Sequence, residues 1–139
     1  MDNPLDKMAA RLEDKREMSG RIGETSRFVA FGLIALVFAI HDSSNALAGA
    51  IVAGDQMLLN VAGLLGCVAI VCDYLQYFCG YRSVNHALQN PDGVYRYDSR
   101  HWAYQGRIVF FWLKQMSAFS GAVLILWIVV KQVVIVADG

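Results

Sequence analysis

The chain has little of what builds metal, redox or covalent catalytic centres. Three cysteines, Cys67, Cys72 and Cys79, are spread along one predicted helix, and none stands in CxxC or CxxxC spacing. No histidine lies one turn away from any of them, so neither a metal site nor a disulfide is expected, and no cofactor is implied. There is no Walker loop, no HExxH, no GxSxG and no paired Cys/His set, which excludes the common enzyme signatures. Proline is almost absent. Pro4 suits the first turn of a helix, and Pro91 sits in the turn sequence "NPDG". Lys and Arg balance Asp and Glu, so net charge carries no information about partners. No internal repeat or low-complexity tract appears, and no small-residue cleavage site follows the first apolar run.

What is abundant is apolar sequence in blocks. Residues 57–72, "MLLNVAGLLGCVAIVC", contain one polar side chain, Asn60, and residues 116–130, "MSAFSGAVLILWIVV", contain only Ser117 and Ser120. With their flanks each block reaches about 20 residues, the length that crosses a hydrocarbon core of ~30 Å at 1.5 Å per residue. A soluble helix carries a polar stripe at helical period, and these blocks lack one. A third, shorter run, "FVAFGLIALVFAI", covers 28–40. It is expected to act as an uncleaved anchor, lengthened inward by Arg27 snorkelling. The expectation is an all-α integral membrane protein. A cytosolic amphipathic helix over 1–27, with Leu5, Met8, Leu12 and Ile22 near one face, precedes a transmembrane domain over 28–139. Its spans are placed at about 28–41, 56–79 and 107–136, with a connector at 80–106.

The five polar residues of "HDSSN", 41–45, cover every face of a helix. They are read as the end of the first span, with "ALAGAIVAGDQ" after them as a short interfacial or re-entrant piece. A rival reading carries the first span through to Val52, which would place "HDSSN" at mid-membrane against a wet cavity. His41, Asp42 and Asp55 are expected to be solvated, because a metal site needs three or four ligands.

Orientation follows from charge placement. The first 27 residues hold six Lys or Arg and the 79–107 stretch holds four, whereas the segment between the first two spans holds none. Two spans separate the basic segments, so both lie on one side, and the positive-inside rule makes that side the cytosol. The expected protein is multi-pass in a bacterial inner (plasma) membrane, N-in and C-out. Tyr74, Tyr77, Tyr81, Trp102, Tyr104 and Trp112 would form an aromatic belt at its cytosolic interface.

Two constellations are candidates for function. Asp73 and Lys114 fall on antiparallel spans at matching depth, where unpaired charge is costly and a pairing is geometrically possible. Gln76 and Gln115 could extend that network, which would either register two helices or line a gated path. The second constellation is the connector, where Arg82, Arg96, Arg100 and Arg107 alternate with aromatics that include Tyr95, Tyr97 and Trp102. Arginine engages phosphate oxygens through paired hydrogen bonds, and aromatic faces stack on bases. A nucleotide or oligonucleotide is the expected ligand class, with anionic membrane lipids as another. The composition is also what topology alone would produce in a cytosolic juxtamembrane loop. Small residues four apart, Ala62/Gly66, Ser117/Gly121 and Ala118/Ala122, allow close helix approach, and a homo-oligomer is expected.

The plan, a surface helix and three spans with the N-terminus inside, resembles that of prokaryotic diacylglycerol kinases. Where that family carries an acid- and Asn-containing motif at the inner end of its second span, this chain has "CDYLQYFCGYR", so no residue role carries over. In size and plan the chain is also similar to small transmembrane effectors of bacterial nucleotide-signalling defence systems. The leading expectation is a self-assembling channel or pore-type effector, not an enzyme, gated by an anionic ligand at the connector. The alternatives are a non-conducting accessory subunit docking a soluble cytosolic partner and, third, a lipid-modifying membrane enzyme.

Overall fold

A computed structural model describes residues 4–89 and 100–138. Three long helices account for nearly all of them: α1 (Pro4–Asp42), α2 (Ala46–Leu88) and α3 (Trp102–Asp138). All three are long and apolar enough to span a membrane. The expected apolar face through Leu5, Met8 and Leu12 lies outside the described side chains.

The leader and the first span are not separate elements. α1 runs unbroken for 39 residues. Glycine inside a helix costs only about 1 kcal/mol, so Gly20 and Gly23 do not stop it, and an exposed Arg21–Glu17 pair at 2.7 Å supports its solvated turn. α1 ends where five consecutive polar residues were expected to end it. The chain leaves the helix after Asp42, and Asn45 caps the next one, its Oδ1 accepting from the Leu47 amide at 3.0 Å.

α2 is two arms joined at Asp55, whose backbone (φ −135°, ψ 24°) leaves the helical region. The long arm therefore begins at Gln56, where the second span was expected. The short arm holds "ALAGAIVAG". Its placement follows from register. Arg27 meets Asp73, Val37 packs on Gly63 and Ala30 on Gly66, so residue numbers of facing α1 and α2 positions add to about 100. Asp42 thus stands level with residues near 58, and the short arm cannot run alongside α1. It closes the hairpin end of the bundle, with Ile51 buried in the same apolar cluster as Leu33, Leu59, Ala62, Ile125 and Ile128.

α3 packs antiparallel to α2 in constant register, from His86 against His101, through Asp73 against Lys114, to Asp55 against Lys131. Small residues bring the helices together. A Cβ on Gly66 would lie 2.9 Å from the Ala30 carbonyl oxygen, and one on Gly121 would lie 2.6 Å from Leu33 Cδ1 and 3.3 Å from the Ala62 carbonyl oxygen. Two of the small-residue pairs noted in the sequence, Ala62/Gly66 and Ser117/Gly121, are buried in this way within the three-helix bundle itself. The outward surface is apolar instead, with Phe28, Phe38, Met57, Leu64, Phe119 and Trp127 all exposed. Such a surface suits lipid as solvent rather than water.

Candidate functional site

The bundle carries charge at two levels and none between them. At the connector end Asp73 is buried and shared by two cations. Its Oδ1 accepts from Lys114 Nζ at 2.6 Å and its Oδ2 from Arg27 Nε at 2.8 Å. Lys114 is only 2% exposed, which makes it one of the most deeply buried large side chains in the molecule. Burial of an ammonium on that scale is tolerated only with a carboxylate in contact. The Asp73–Lys114 contact that matching depth makes possible is present. Arg27, expected to snorkel away from the core, turns inward and completes it. Its Nη2 donates to Tyr77 Oη at 2.9 Å, and its guanidinium lies 5.5 Å from the Tyr77 ring centroid.

Gln76 and Gln115 do not extend this network. Gln76 Oε1 and Gln115 Nε2 are buried without a hydrogen-bond partner among the described residues. Both Asp73 oxygens already hold cations, and the two amides face different spaces. Gln76 lines a cleft at the connector end, whereas Gln115 lines the groove between α1 and α3 beside Ser26 and Ala118.

The second level lies at the hairpin end. Asp55 is buried, its Oδ1 accepting from Lys131 Nζ at 2.7 Å and its Oδ2 from Gln132 Nε2 at 3.1 Å. This corrects the expectation that Asp55 is solvated. The helix break places its carboxylate against α3 and away from water. His41 and Asp42, by contrast, are exposed as expected. A signal for the second cluster was present in the spacing. Asp55 and Asp73 are 18 residues apart on α2, and Lys114 and Lys131 are 17 apart on α3. Antiparallel helices whose spacings agree to within one residue, paired at one level, bring the second acid and the second base within reach of each other. The two levels are about 27 Å apart along α2 at 1.5 Å per residue, close to the thickness of a hydrocarbon core.

Four of the seven connector residues proposed to bind a ligand, Arg82, Arg100, Trp102 and Arg107, lie among the described residues. Tyr95, Arg96 and Tyr97 lie outside the described residues. Arg82 and Arg100 are exposed, and Trp102, 57% exposed, opens α3. The His86 and His101 rings stack at 4.2 Å, joining the two ends of the connector. Of the described connector arginines, Arg107 is the one that borders the Asp73 cluster. It lines an open cleft of about 800 Å³ together with Gly23, Glu24, Arg27, Gln76 and Lys114. Of the expected belt, Tyr74, Tyr77, Tyr81, Trp102 and Trp112 are exposed around this end, and Tyr104 is half-buried.

No family model matches the chain, and neither a curated protein nor a solved structure matches it. Its chemistry is therefore read from its own residues. The connector-end cluster holds charge in place and presents a cationic recess.

Proposed function

We propose that the chain is a self-assembling transmembrane pore-type effector. It would sit in a bacterial inner membrane with its N-terminus in the cytosol and respond to an anionic, nucleotide-like ligand on the connector side. A role in nucleotide-signalled antiviral defence is the setting that its size and plan favour. The single observation that carries self-assembly is Asn60. It lies between the two charged levels, where α1, α2 and α3 hold no ionised side chain, yet it is exposed on the outer face of α2, with exposed Gln56 one turn away. A carboxamide both donates and accepts, so it is satisfied in lipid by the same group on a second copy, a bond worth about 1–2 kcal/mol in model helices.

The pore belongs between protomers, because Leu33, Leu59, Ala62, Ile125 and Ile128 fill the interior of one. The Asp73 cluster then acts as a lock that holds each protomer's helices in register, and not as the lining of the path. A ligand that binds one arrangement better than the other shifts the population towards it.

Membrane potential in cells expressing the chain tests this reading. Depolarisation is expected, stronger in Lys114→Ala, which loosens the lock, and lost in Asn60→Ala. Full potential in both the native chain and Lys114→Ala, at equal membrane expression, would discard the pore in favour of a non-conducting subunit.

A further inference from the structure

The geometry points to a phosphate-binding site in the cleft between the connector ends of α1, α2 and α3, with Arg107 as its principal donor and Arg27, whose Nε and Nη2 are already held by Asp73 and Tyr77, as a supporting charge. The inference deepens the ligand-response reading above. It replaces an exposed basic loop by a built recess, and it stands or falls separately from conduction.

The charge balance of the cleft is the first argument. Its cations are Arg27, Lys114 and Arg107, and its carboxylates are Glu24 and the Asp73 that Arg27 and Lys114 share. Three positive charges face two negative ones, in a recess whose floor is shielded from water. Both Asp73 oxygens are occupied by cations, which leaves Glu24 as the one carboxylate open to a metal ion, too few for a cation site. Arg107 has no ion-pair partner among the described residues, and its Cδ would lie 3.8 Å from a Cβ on Gly80. Arg107 is exposed at the rim above the enclosed Lys114, and a free guanidinium there offers paired hydrogen bonds to a phosphate oxygen pair.

Space and depth agree with this. Gly20 and Gly23 present no side chain to the cleft, and nothing lies within 4 Å of where a Gly20 Cβ would stand. Gln76 places a buried amide with an unpartnered oxygen at the wall, a group that a hydroxyl of a glycerol or ribose would satisfy. The floor is the level at which the charge-free stretch of all three helices ends, about 27 Å from the opposite charged level. In a bilayer that is where lipid phosphates begin. A phosphodiester headgroup entering sideways and a soluble nucleotide entering from the aqueous side would present the same group to the same arginines.

The test uses the full chain in detergent micelles, read by native mass spectrometry. One arm offers phosphatidylglycerol against phosphatidylcholine, and the other offers ATP. Selective retention of phosphatidylglycerol assigns the site to a lipid phosphate, and retention of ATP assigns it to a soluble one. Either supports the inference. Arg107→Ala should weaken the retained ligand about ten-fold, the loss of one charge-assisted contact. Gly20→Phe should weaken it comparably by filling the recess without changing charge, and Glu24→Gln should tighten it. Arg21→Ala is the control, since it removes the same charge at the same end from a side chain already paired with Glu17 outside the cleft. Equal retention of phosphatidylcholine and phosphatidylglycerol with no ATP bound would overturn the site. So would an Arg21→Ala loss as large as that of Arg107→Ala. Selective binding without any depolarisation would leave this inference standing and remove the pore.

Discussion

The two charged levels are built from the same chemistry and differ in what surrounds it. At the hairpin end one carboxylate, Asp55, meets one cation, Lys131, and one neutral amide, Gln132. Charge is balanced, and the Lys131 side chain remains 40% exposed. At the connector end one carboxylate meets two cations, one of them almost fully enclosed, and an open cleft adjoins them. The first arrangement closes an accounting problem created by a helix break. The second leaves a surplus of positive charge in a recess. Balanced ion pairs staple helices together, whereas unbalanced ones also attract a ligand. That contrast is why the functional proposal rests on the connector end.

The largest expected effect comes from removing the shared acid. Asp73→Asn strands Lys114 and Arg27 together, and breaking a buried pair from one side costs about 3–5 kcal/mol. Lys114→Met should be milder, because Asp73 keeps Arg27 and the site loses a cation it can spare. Unfolding midpoints of the two variants in detergent check this. If Lys114→Met proves the more damaging, the surplus-charge view of this end is wrong.

Much of this pairing was legible beforehand, and the reason is geometric. Counting inward from Arg82 and Arg107 at a fixed rise puts Asp73 and Lys114 level, and the consecutive polar residues of "HDSSN" cannot all face lipid, so they mark a helix end. Gln56 as the start of the long arm followed from the same patterning. Other features were hidden for physical reasons. α1 continues from leader to span because a helix already formed propagates at little cost, and nothing between Lys15 and Phe28 costs enough to stop it. The inward turn of Arg27 depends on Asp73, 46 residues away, and no local pattern reports it. The Asp55–Lys131 pair was obscured because Asp55 adjoins a small-residue segment that reads as interfacial. Only the matched spacing of the two Asp and two Lys residues encodes it. The collar arginines were grouped by sequence proximity, but among the described ones helix geometry sends only Arg107 towards the cleft.

Next in size are substitutions in the span between the levels. Gly66→Ala places a methyl 2.9 Å from the Ala30 carbonyl oxygen. Backbone cannot yield as a side-chain tip does, so α1 and α2 must part, at about 1–3 kcal/mol. Gly49→Ala on the short arm meets nothing within 4 Å and should leave the unfolding midpoint unchanged or slightly raised, since helical alanine is favoured over glycine. Equal losses at the two glycines would mean that the register drawn here between α1 and α2 is wrong.

The hairpin end should respond more weakly than the connector end throughout. Asp55→Asn keeps an oxygen for Gln132 and leaves Lys131 able to reach water along its half-exposed stem. Its shift in midpoint should be less than half that of Asp73→Asn. The smallest loss expected is at the cap. Asn45→Ala removes the one side-chain acceptor that satisfies the Leu47 amide, worth about 1 kcal/mol. That amide is exposed, and water replaces the lost acceptor in part. Because the short arm closes the bundle without carrying a charged level, fraying it should raise amide exchange over residues 46–54 and leave exchange around Asp73 untouched. Faster exchange at both ends from this one cap would show that the two levels act as a single cooperative unit, and the separation of staple from ligand site would fail with it.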